Sequence, residues 1–354
     1  MEARIRLMRD FHRGRRYLRG FYVWAKSAGG ITVILTAVLA ILASIDKGVF
    51  ILTNTFVTGG MWALVAIGVA LIFGVMNISN FAHGEYFMVG SMAAYQIITP
   101  LNIYLKHHPN PWLLTAAPLI AIAGATLVGA VFGLITERLI FNQLRKHSKG
   151  NWLLNCFLVT IGISVILSNG DLILFGANFR GILYYWDVPP ILIFGVPISV
   201  DRMFTFCLAL FLLMAFWVFM KFTRTGQAIR ACSQDERGAR MVGISVNLVN
   251  IVVFCLGCAF AALAGASLLF MIPSYPTVGL MPLYNSWFII ILVGLGNVEG
   301  TIPGGFIIAF LQVATRIYLG EGWENIIPMF VICLILIFKP YGIFAYSVRS
   351  VWEK

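Results

Sequence analysis

The chain has 354 residues, 60% hydrophobic and 11% charged, with a formal net charge of +11. Soluble domains are typically about 45–50% apolar and about 25% charged, so the composition excludes a soluble globular protein. No polar stretch is long enough for a soluble domain of any size. The basic excess does not mark a nucleic-acid binder, because Lys and Arg cluster at the ends of apolar runs, as they do on cytoplasmic loops of membrane proteins.

Residues 1–27 form a basic tail, with Arg4, Arg6, Arg9, Arg13, Arg15, Arg16, Arg19 and Lys26. The tail is predicted to be cytoplasmic and to meet anionic lipid headgroups. The apolar run behind it lacks a small-residue cleavage site and is read as a retained signal-anchor helix. Residues 28–345 form one all-α transmembrane domain, and 346–354 a second cytoplasmic tail. A spanning helix needs about 20 apolar residues. Candidates fall at roughly 28–45, 51–75, 81–100, 112–135, 153–175, 203–221, 247–270, 281–296, 301–319 and 326–345. The eighth and ninth read either as two short spans or as one broken helix. Charge decides for ten. With both termini inside, only Lys47, Lys106, Arg180, Arg202 and Arg316 lie outside, and every other Lys and Arg lies inside. Fusing the two would put Lys339, Arg349 and Lys354 outside, against the positive-inside rule.

Three polar interruptions stand out. "NFAHGEY", 80–86, places Asn80, His83, Gly84, Glu85 and Tyr86 between two apolar runs. Ionisable groups at membrane depth are costly and face a bundle interior or water. His83 and Glu85, two residues apart, do not face each other on a helix. They are expected to flank a turn that Gly84 permits, with Asn80 satisfying backbone groups freed where the preceding helix ends. "VGLGNVEGTIPGG", 293–305, supplies Gly294, Gly296, Asn297 and Glu299, and irregular backbone at this depth needs protein or water to satisfy it. Charge parity puts both breaks at the same face. Glu85 and Glu299 are the only carboxylates placed near these breaks. The residues alone leave a structural turn and a pathway lining equally open.

The third interruption is the basic loop 221–246, with Gly226, Arg230, Ala231, Asp235, Gly243 and Ile244. Its mix of Ala, Cys, Met, Val and Ile with charges predicts a short amphipathic helix on the cytoplasmic face, suited to docking a partner. Arg230 and Asp235 are expected to orient it through an ion pair, within the loop or to that partner. Cys232 is the expected cross-linking position. Cys156, Cys207, Cys255, Cys258 and Cys333 lie in apolar runs without the spacing of a disulfide framework. Cys255 and Cys258 read as small residues at a close helix contact. No metal site is predicted.

In this order, the three elements resemble the permeases of branched-chain amino acid ABC importers, the H-type subunit of the leucine/isoleucine/valine uptake system in particular. The resemblance rests on Asn80-Phe81-Ala82-His83-Gly84-Glu85 with Met88 and Gly90; on Gly226, Arg230, Ala231, Asp235, Val242, Gly243 and Ile244; and on Gly294, Gly296, Asn297, Pro303 and Gly304. It covers about 51–345. Val293 departs from the usual paired glycines, and residues 1–50 lengthen the N-terminus. Related permeases carry urea, short amides or sugars.

The resemblance implies a fold like that of the cobalamin-importer permease, with about ten helices in a bacterial inner membrane. It implies a second, M-type permease, two ATPase subunits and a periplasmic binding protein as partners. The first and third motifs would then line the translocation path, and the second would couple to the ATPase. ATP and Mg would sit in the partner ATPases, because no Gly-Lys pair of a phosphate-binding loop occurs in this chain. An ion-coupled secondary transporter using His83 and Glu85 as a proton relay is the reading of a different class. A membrane-embedded enzyme would need a nucleophile or metal set, and the sequence has neither H-E-x-x-H nor G-x-S-x-G.

Overall fold

In a computed structural model, residues 28–147, 152–193 and 196–344 are described; the two predicted tails, 1–27 and 346–354, lie outside these residues. The long helices are α1 (Ala28–Lys47), α2 (Phe50–Met76), α3 (His83–His107), α4 (Pro111–Thr136), α6 (Trp152–Phe175), α7 (Val200–Phe222), α10 (Val246–Ser267), α11 (Leu280–Val293), α12 (Thr301–Leu319) and α13 (Ile326–Phe338). The short helices are α5 (Asn142–His147), α8 (Arg224–Gln234) and α9 (Glu236–Met241).

Each of the ten predicted segments coincides with a helix. Among the described residues, eight helices are long and apolar enough to cross a membrane. The exceptions are α3, which carries the polar residues of the first break, and α11. At 14 residues α11 is roughly 21 Å long, short of the hydrocarbon core of about 30 Å, whereas α13 reaches 18 residues only together with the 3-10 turn Glu321–Trp323 that precedes it. Between α11 and α12 the chain breaks at Gly294–Gly300, so segments eight and nine are separate helices.

Helix α2 is apolar on every side, and such a helix belongs inside a bundle. It is the central element, continuously buried from Gly59 to Ile72, and it packs against α12, α10, α11 and α7. Helix α10 packs against α4 and α3 on its other sides. Lipid tails offer no hydrophobic drive for association, so small residues that admit close backbones provide the packing. Gly129 and Gly133 of α4 abut Cys258 and Ala262 of α10, which accounts for the C-x-x-C as a helix contact. By contrast α1, α6, α7 and α13 leave most of their apolar surface outside the bundle.

Pro111 opens α4, where its missing N–H costs nothing, and Asn110 caps it by accepting from the Trp112 and Leu113 amides. The helix then passes through a π turn, Glu137–Phe141, into α5. The turn places Glu137 in the interior, where it pairs with Arg145. On the opposite side of the bundle, the α6–α7 connection folds back in a small antiparallel hairpin of β1 (Ile191–Ile193) and β2 (Val196–Ile198). It is fixed by Asp201 Oδ1, which accepts from the Tyr185 and Trp186 amides at 3.1 and 3.2 Å. An isolated bridge ties Arg180 to Ser274.

Candidate functional site

The first break is more ordered than a turn between helices. Helix α2 ends at Asn77, whose φ of 53° is left-handed, a conformation Asn tolerates at helix ends. Asn80 Oδ1 then accepts from the Ala82 amide at 3.1 Å, and α3 starts at His83 itself. His83 is fully buried, and its Nε2 lies 3.2 Å from the carbonyl oxygen of Val65 in α2. Ser164 of α6 donates to Glu85 Oε1 at 2.8 Å. Tyr86 donates to Thr136 Oγ1 of α4 at 2.9 Å. One turn of α3 is thereby tied to three other helices.

Gly84 does not make a turn. It lies within α3, and its role is contact: a Cβ built on it would fall 2.0 Å from the carbonyl oxygen of Gly279. Glycine is required here because the α3 backbone touches the chain just before α11.

The second break mirrors the first in its chemistry. Asn297 Oδ1 accepts from the Gly300 amide at 3.0 Å and its Nδ2 donates to the Phe344 carbonyl at 3.0 Å. Gly294 and Gly296 hold φ of 111° and 81°, values that L side chains rarely adopt. Gly296 lies against Gly74 at the end of α2, so this break sits beside the end of the helix from which the first break follows. The cavity at the second break is nevertheless not lined by His83 or Glu85. Gly296, Asn297 and Glu299 line a cavity of about 140 Å³ with Gly74, Trp217 and Arg230. They thus meet the 221–246 loop rather than His83 and Glu85.

That loop is two helices rather than one. Thr223 caps α8 by accepting from the Gly226 amide at 3.0 Å, and Asp235 caps α9 by accepting from the Arg237 amide at 2.9 Å. Helix α8 buries Gly226, Ile229 and Cys232, with Ala231 partly covered, and exposes Arg230, Ser233 and Gln234. Within the loop, Arg230 and Asp235 form no ion pair with each other. Asp235 serves its own helix N-terminus, Arg230 reaches the Lys221 carbonyl at 3.5 Å, and the loop's ion pair is Glu236–Arg240 at 2.5 Å. Cys232 is buried, and burial pushes its thiol above the ordinary range, so it is not a surface cross-linking position. Gly243 has φ of 87°, and the Ile244 amide closes the loop on the Ala239 carbonyl at 3.0 Å.

Glu85 and Glu299 are not the only carboxylates near the bundle's polar positions. Glu137, Asp171 and Asp201 are buried as well. Glu137 was hidden in a run that reads as the end of a span, and its signal was Arg145 eight residues on, which an α-helical register does not bring beside it. Asp171, seven residues after Ser164, repeats on the same face of α6 two turns later.

The fold and these positions define an all-α multi-pass membrane protein with ionisable groups buried along helix seams and a paired-helix loop at one face. The family described as branched-chain amino acid transport system, permease component, matches residues 51–338. The chain belongs to that family. It is 28% identical over 298 residues to the high-affinity branched-chain amino acid transport system permease protein LivH of Escherichia coli, covering 82% of this chain and 93% of that one. It is also 28% identical over 299 residues to the high-affinity branched-chain amino acid transport system permease protein BraD of Pseudomonas aeruginosa, covering 82% and 94%. The ribose import permease protein RbsC of Escherichia coli is 24% identical over 318 residues, covering 84% and 88%. No solved structure matches the chain.

Proposed function

We propose that the chain is the membrane-spanning permease subunit of an ATP-driven importer that moves an amino acid, a branched-chain one by the names of its relatives. The supporting observation is the family match over 51–338, which spans the whole bundle from α2 to α13. The chain acts as a transport subunit rather than an enzyme. ATP and Mg belong to two separate ATPase subunits, a second permease completes the path, and a periplasmic binding protein delivers the solute. The membrane is the bacterial inner membrane, with both termini cytoplasmic.

Helices α8 and α9 transmit ATPase movement. Ile229, Arg230 and Ser233 of α8 line the cavity under the second break, and Arg224, Gln227 and Arg237 are exposed. His83, Glu85 and Tyr86 hold the start of α3 to α2, α6 and α4. They fix the wall of the path by hydrogen bonds, and no bond of the solute breaks. Affinity purification of the full chain from its native membrane tests this reading, with mass spectrometry of what accompanies it. An ATPase and a second permease should co-purify, and a binding protein should be retained when leucine is present. A chain that purifies alone and still transports contradicts it.

A further inference from the structure

Asp171 of α6 is 7% exposed, and its Oδ2 has no hydrogen-bond partner. Burying an unsatisfied carboxylate oxygen is costly, so a group kept this way marks a place where a partner comes and goes. The carboxylate lines a crevice of about 380 Å³ between α3, α4 and α6, a volume within the range of small-molecule sites. Apart from Gln96 of α3, the other side chains that line it are apolar, among them Met88 and Met92 of α3, Phe132 of α4, and Leu167 and Leu174 of α6.

A cation stands at the same end of α6. Arg180 follows the helix, donates from Nη2 to the Phe175 carbonyl at 2.7 Å, and lies 5.7 Å over the ring of Tyr95 in α3. Its Nε is buried without a partner. Arg180 is near enough to Asp171 to interact electrostatically, yet the two form no ion pair. The buried carboxylate thus lines a largely apolar crevice, and the guanidinium, also incompletely satisfied, is held just beyond it on the carbonyl of Phe175, a lining residue. That is the complement of a zwitterion with an aliphatic side chain: ammonium to Asp171, carboxylate to Arg180, side chain against Met88, Met92 and Leu167. Below it on the same seam, Ser164 and Glu85 continue the polar face toward the first break.

We infer that the α3–α6 crevice is a binding station of the permease itself, in which Asp171 takes the substrate's ammonium and Arg180 its carboxylate. This rests on the amino-acid reading above. It differs from selection by the binding protein, because it gives the membrane subunit its own requirement for both charges of the solute.

The test uses the complete transporter, reconstituted in proteoliposomes with saturating leucine-loaded binding protein. Leucine uptake and ATP hydrolysis are measured together for wild type, Asp171→Asn and Asp171→Glu. Loss of one charge from a desolvated charged contact predicts a fall in uptake of roughly tenfold or more for Asp171→Asn. ATP hydrolysis stimulated by the binding protein should stay within about twofold, since a hydrogen-bonding side chain of the same shape remains. Asp171→Glu should restore part of the uptake. Normal uptake by Asp171→Asn overturns the inference and leaves a crevice that holds only lipid. Uptake and hydrolysis falling together overturn it too, as the mark of a purely structural residue. If the wild-type transporter moves no leucine, the amino-acid reading itself falls.

Discussion

Gly84 shows how one atom decides a helix position. With the Gly279 carbonyl oxygen 2.0 Å from where a Cβ would sit, Gly84→Ala forces α3 away from the chain before α11, at a cost above the about 1–3 kcal/mol of ordinary overpacking. Gly162 of α6 has open space around it, so Gly162→Ala should change stability by no more than about 1 kcal/mol. Thermal unfolding of the two variants in one detergent is the check, and equal stability would refute the contact account. His83 is read by the same logic. His83→Gln keeps a donor for the Val65 carbonyl, so uptake should stay within about twofold of wild type with an unchanged pH profile. A proton relay through His83 would lose uptake. The residue types at this site were legible in the sequence: a histidine and a glutamate beside a glycine in an apolar chain point to a buried polar contact. What they touch was not legible, because Val65, Ser164 and Gly279 are far along the chain and nothing local names them. Hence Gly84 reads as a turn residue and is a packing residue.

The helices themselves follow from apolar run length, and all ten predicted segments are helical. Composition says less about the 221–246 loop. Its amphipathic character predicts a helix, but the break between α8 and α9 comes from Asp235 leaving its own helix to cap the next. The same capping removes Asp235 as a partner for Arg230. Exposure along α8 gives a direct prediction. Cys232 is buried and its thiol is held up by that burial, so the reactive thiolate is scarcer than for a free cysteine at the same pH. Maleimide should label it slowly at neutral pH and faster as pH rises, whereas a cysteine at exposed Ser233 should label quickly. Equal rates would mean that the α8 face is reversed. Glu137 was missed for a related reason: a π turn shifts the register of α4 into α5, and no helical periodicity reveals that.

At the scale of the whole molecule, the uneven distribution of charge and burial fits a chain immersed in lipid and oriented by its basic loops. Helices α2 and α10 are mostly enclosed, while few residues of α6 and α13 are buried in the bundle. The charge asymmetry makes the orientation testable. Reporter fusions at Lys354 and within 271–280 should give opposite sides, with Lys354 inside. A periplasmic signal at Lys354 would require an odd number of spans, and the short α11 would then be the first helix to reassign. The central claim is that ATP drives import through this chain. The most direct measurement is leucine uptake into proteoliposomes holding the complete transporter, with the binding protein outside and either ATP or an imposed proton gradient as the only energy source. Uptake should require ATP inside and the binding protein outside, and a proton gradient alone should give none; uptake driven by the gradient without ATP would contradict the account.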